Sequence, residues 1–133
     1  MNTLSNLEEL STTELISGLL IYLGPQKFSE QSLYRFLRKL ASDVPSLRER
    51  LKILGPDDRL WSEPVRRVIN YLEMGKILEV AMPNPVDQFF RPRPGQLTSV
   101  RHQLEQRGVL PNREETFKEL ASEFQKFLTA AKE

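Results

Sequence analysis

At 133 residues the chain is the length of one ordinary domain with a single core. Apolar residues at 39% and charged residues at 28% exclude a disordered chain, and the absence of cysteine excludes disulfides, thiolate nucleophiles and cysteine-ligated metals. The net charge of +1 is uneven, with one basic and four acidic residues over 1–34, fourteen and nine over 35–108, and four and five over 109–133.

Residues 11–23 form the first expected helix. Ser11 and Glu14 have capping-box spacing, and Leu15, Ile16, Leu19, Leu20 and Leu23 fill a broad apolar face. Gly24-Pro25 stops it, because glycine permits a left-handed cap and proline cannot continue a helix. Ser29 caps a second helix with Leu33, Phe36, Leu37 and Leu40 on one face and Arg35, Arg38 and Lys39 on the other. Pro45-Ser46 opens a short third helix with Leu47, Leu51 and Leu54 inward, closed by Gly55-Pro56.

Residues 57–61 form a loop whose last residue, Trp61, precedes the N-cap Ser62 and is placed for a hydrophobic staple. The fourth helix turns Val65, Val68, Ile69 and Leu72 inward, leaves Arg66, Arg67, Asn70 and Glu73 outside, and ends at Gly75. Residues 75–95, GKILEVAMPNPVDQFFRPRPG, do not read as helix. Residues 77–82 make a strand, Pro83-Asn84-Pro85 a turn, and residues 86–91 the returning strand. Pro92 and Pro94 deny that second strand an inner position, so a two-stranded ribbon leaning on helices is expected. Of the adjacent Phe89 and Phe90, one faces the core and the other the rim. A fifth helix covers residues 97–107. Asn112 and Glu115 cap a long last helix, with Phe117, Leu120, Ala121, Phe124, Leu128 and Ala131 in a stripe.

Helix, helix, helix, glycine, strand, turn, strand is the order of a winged-helix domain, and residues 12–93 resemble one. Gly24-Pro25-Gln26-Lys27-Phe28-Ser29 looks like the link after the first helix, where a brief strand often runs. Residues 68–78, VINYLEMGKIL, are similar to the end of a recognition helix and its glycine corner into the wing. The match departs at residues 42–61, which are longer than a helix-turn-helix link and contain an extra helix. That helix is an insertion, or else the three-helix core is 29–42, 46–54 and 62–75 with the first helix appended.

The resemblance implies a single domain, 1–133, that is mainly α with one β-hairpin: a winged-helix-like core at 12–93 and a C-terminal helical extension at 96–133. It implies a recognition helix entering the major groove of double-stranded DNA, with Ser62, Glu63, Arg66, Arg67 and Asn70 toward bases and phosphates. The wing would add Asn84, Gln88, Arg91 and Arg93. A small transcriptional regulator is one expectation, dimeric through the last helix as many such regulators are. The same fold also serves as a protein-docking module or adaptor, which is the alternative. Arg66 and Arg67 equally suit a solvated face, with Arg66 able to pair with Glu63 or Asn70, and Glu63 would repel DNA.

Nothing points to catalysis. One histidine, His102, and no cysteine cannot furnish a zinc site, and the six glycines are too scattered to cradle a phosphate. No enzyme activity and no cofactor are expected. No run of about 18 apolar residues offers a membrane span, and residues 1–10 lack the basic start and apolar middle of a secretory signal, so the expected compartment is the cytoplasm.

Overall fold

The computed structural model describes residue 7, residues 9–82 and residues 87–131. The order is α1 (Thr12–Leu23), β1 (Phe28–Ser29), α2 (Glu30–Asp43), α3 (Pro45–Leu51), α4 (Glu63–Met74), β2 (Leu78–Met82), β3 (Phe89–Pro92), α5 (Pro94–Gln106) and α6 (Glu114–Ala131). The architecture is mainly α with one small antiparallel sheet. No described helix is long and apolar enough to cross a membrane.

Ser11 starts α1 as the capping box predicts: its hydroxyl accepts from the Glu14 N–H at 3.1 Å, and the Glu14 carboxylate accepts from the Ser11 N–H at 3.0 Å. Leu15 through Leu20 and Leu23 are all buried, so α1 is apolar nearly all round and lies at the centre, not as an appendage. Gly18 is the one helical position there where a side chain cannot fit. A Cβ would stand 2.3 Å from the Phe117 ring, which lets α6 pack closely on α1. Phe124 of α6 stacks on Phe36 at 4.9 Å and meets Phe28 at 6.0 Å, while Phe28 meets Phe90 at 6.1 Å. The apolar stripe of the last helix thus closes the chain's own core.

The sheet order is β1-β3-β2. The expectation of a two-stranded ribbon is corrected, since Phe28 and Ser29 pair with Phe90 and Phe89 and make β3 the inner strand. Pro92 is compatible with that place because it ends β3 opposite Leu78, beyond the reach of β1. Phe90 is fully buried and Phe89 half-buried, with the Lys27 ammonium 5.5 Å from its ring centre.

Three other local expectations give way. Helix α3 ends at Leu51, Lys52 takes a left-handed φ of 48°, and Leu54 points outward at 62% exposure. Gly75 does end α4 as its C-cap, but the left-handed corner into the ribbon falls one residue later, at Lys76 with φ 60°, where the Ile77 N–H donates to the Leu72 carbonyl at 2.8 Å. Asn112 does not cap α6, because its side-chain amide donates to the Gly108 carbonyl and the helix begins at Glu114.

Candidate functional site

The start of α2 fixes the ribbon to the helices. Its first N–H groups are taken by the Gln88 carbonyl (from Glu30, 2.8 Å), the Asp87 carboxylate (from Gln31, 2.9 Å) and the Ser29 hydroxyl (from Ser32, 3.0 Å). Gln88 therefore acts through its backbone in holding β3, and its side chain is half-buried.

The expectation for Ser62 is corrected. It is fully buried, accepts from the Val65 N–H at 3.2 Å and donates to the Leu51 carbonyl, so it caps α4 and reaches no groove. Trp61 is 51% exposed and is no staple. Arg66 and Arg67 are about 100° apart around the helix and leave by opposite flanks. Arg66 turns to α2, where its guanidinium donates to Glu30 at 2.9 Å, with the two side chains 32% and 15% exposed. The other oxygen of Glu30 accepts from the Tyr34 hydroxyl at 2.6 Å. Burial first, and then the bond to Glu30, raise the Tyr34 hydroxyl well above the ordinary tyrosine range. Neither Glu63 nor Asn70 is the partner of Arg66, because α2 presents a better-enclosed carboxylate.

Arg67 pairs with Glu63 one turn earlier, and both are exposed. Asn70 is exposed on the same outward side. Tyr71 and Met74, at 56% and 85% exposure, continue from Arg67 at i+4 and i+7. This apolar ridge was legible as helical spacing, yet the inward stripe of Val65, Val68, Ile69 and Leu72 dominates the sequence pattern. Beside the ridge, α1, α4 and α5 enclose a groove of about 520 Å³. Val68, Leu72, Ile77, Val100 and Leu104 form its apolar wall, with Glu14, Arg67 and Arg107 around them.

On the ribbon, Arg91 stands opposite Glu79 in register. Arg91 and Arg93 share that carboxylate at 3.3 and 3.5 Å and remain 48% and 45% exposed. Such loose exposed pairs contribute little to stability. Asn84 lies outside the described residues. No family model, curated protein or solved structure matches the chain.

The face of α4 and the ribbon is close to charge-balanced. Arg66, Arg67, Lys76, Arg91 and Arg93 stand among Glu30, Glu63, Glu73 and Glu79. Four of the five cations have a carboxylate within reach.

Proposed function

We propose that the chain is a winged-helix-type module that binds a protein partner, docking through the outward ridge of α4 and the adjoining groove. The element order and the β1-β3-β2 sheet support the winged-helix reading. The observation that carries the function is the exposure of Tyr71 and Met74 beside an apolar groove, where the neighbouring arginines already have carboxylates. Aromatic and methionine side chains are favoured at the centres of protein interfaces, whereas a phosphate-facing helix needs cations free to displace counterions. The role is that of an adaptor or small subunit in the cytoplasm, without a reaction or cofactor of its own. A homodimer through α6 would have to use its polar outward face, which carries Lys118, Ser122, Glu123, Gln125 and Lys126.

A photo-crosslinking residue replacing Met74 in the native cell, compared with one replacing Ser122, tests this. A single protein adduct at position 74 and none at 122 supports it, and adducts to DNA overturn it.

A DNA-binding regulator is the second reading, favoured by the half-exposed Arg91 and Arg93 on the ribbon. It requires binding to random duplex DNA whose log affinity falls as log salt rises. Absence of binding at low salt removes it.

A further inference from the structure

Most of the unbalanced positive charge of the middle segment lies away from α4, with seven basic and four acidic side chains over residues 35–61. On α2, α3 and the loop joining α3 to α4, Lys39, Arg48, Lys52 and Arg59 are exposed and have no ion-pair partner among the described residues. Beside them lies a pocket of about 240 Å³ lined by Arg38, Ser42 and Arg48, with Ala41, Leu51 and Ile53 as its apolar part. That volume suits one side chain better than a cofactor, since drug-sized ligands occupy roughly 300 Å³ or more.

The loop next to this pocket is built to hold its shape. Leu54 and Trp61 exchange two backbone hydrogen bonds of 2.8 Å, so their side chains stand on the same face. Both are more than half exposed, forming one apolar pair. The Gln31 side chain donates to the Leu60 carbonyl and accepts from its N–H, each at 2.8 Å, tying the loop to α2. Arg38 holds Asp57 at 2.8 Å. Gly55, at φ 102°, lets the turn close, because a Cβ there would lie 2.5 Å from the Arg59 carbonyl oxygen. An exposed aromatic on a pre-shaped loop loses little conformational freedom when covered, which is the property of an interface anchor.

We propose that this face binds an acidic, apolar-containing peptide segment of a protein partner. One aliphatic or aromatic side chain enters the pocket between Arg38 and Arg48, another covers Trp61 and Leu54, and carboxylates meet Arg48 and Lys52. Charge complementarity selects the acidic partner, since residues 35–61 hold seven basic against four acidic side chains, and Lys39, Arg48, Lys52 and Arg59 among them make no internal ion pair among the described residues. An apolar pocket wall and the exposed Asp57 and Asp58 suit discrete carboxylates between apolar residues better than a continuous phosphate backbone. The proposal does not rest on the reading of α4.

Trp61 is the only tryptophan, so its emission reports whether the site is covered. Short random peptides are selected by display on the wild-type chain, with Arg48→Glu/Lys52→Glu as the counter-selecting protein, and the enriched peptides are titrated against Trp61 fluorescence. Enriched sequences should be acidic with interspersed Leu, Ile or Phe, and should shift the emission to the blue saturably. Affinity should fall about tenfold or more in the double variant, and detectably in Arg48→Ala/Lys52→Ala. Circular dichroism confirms that both variants fold. Absence of enrichment, no acidic bias, or affinity unchanged by charge reversal overturns the proposal. So does an emission shift given by oligothymidine and not by peptides, which would assign the face to single-stranded nucleic acid.

Discussion

Arg66→Ala and Arg67→Ala, adjacent changes that each delete one guanidinium, should differ in stability by a measurable margin. Arg67 and Glu63 are 76% and 62% exposed, and an exposed pair one turn apart on a helix is worth at most ~0.5 kcal/mol. Arg66 bonds a carboxylate that is only 15% exposed. Without it, Glu30 keeps the Tyr34 hydroxyl but loses the partner of its other oxygen. Hydrogen bonds to charged groups are worth about 1.5–3 kcal/mol, and partial solvent access at Arg66 reduces this to about 1–2 kcal/mol. For a chain of this size that is a fall in Tm of roughly 3–10 °C for Arg66→Ala. Urea unfolding followed by circular dichroism measures both variants, and an unchanged m-value shows that stability alone has moved. A cycle with Glu30→Gln should return a coupling of about 1 kcal/mol between the two side chains. Equal midpoints for the two alanine variants would refute the reasoning. The result also governs functional tests, because a binding defect in Arg66→Ala is confounded by folding while one in Arg67→Ala is not.

Gly18→Ala should destabilise by about 1–3 kcal/mol despite the better helix propensity of alanine, with Phe117→Leu in the same chain recovering part of the loss in a thermal melt. Gln31→Ala strands both polar groups of the Leu60 backbone, so amide exchange in residues 54–61 should accelerate well before global unfolding does. The Tyr34 hydroxyl titrates higher in the folded chain than its ordinary value of about 10, so its contribution is complete below pH ~10 and is lost as pH rises above that. Stability should therefore fall on the alkaline side, with a shallower slope in Tyr34→Phe, and identical slopes would count against the assignment.

Much of the fold was legible from local chemistry. The Ser11–Glu14 capping box, the Gly24-Pro25 stop, Ser29 as a cap and the stripes of α2 and α4 depend on neighbours within a turn or two. The candidate site was less legible. Ser62 shows in sequence as an N-cap, but that its hydroxyl is also used by Leu51, eleven residues earlier, does not. Arg66 shows as an outward cation, yet its partner Glu30 lies 36 residues away. Leu54 fits the α3 stripe in sequence and fails because Lys52 turns the chain left-handed before that stripe reaches it.

By itself the sequence determined the number and order of the helices, the presence of a strand pair after α4 and the basic middle, since periodicity, caps and composition act over a few residues. Only the tertiary structure decided that Phe28–Ser29 joins the sheet, that α6 closes the core against Gly18, and which cations are matched. Hydrogen-bond ladders, ring packing and ion pairs between distant residues depend on distances that no local pattern encodes. For the same reason the matched arginines of α4 and the unmatched ones of the α2–α3 face look alike until the chain is folded.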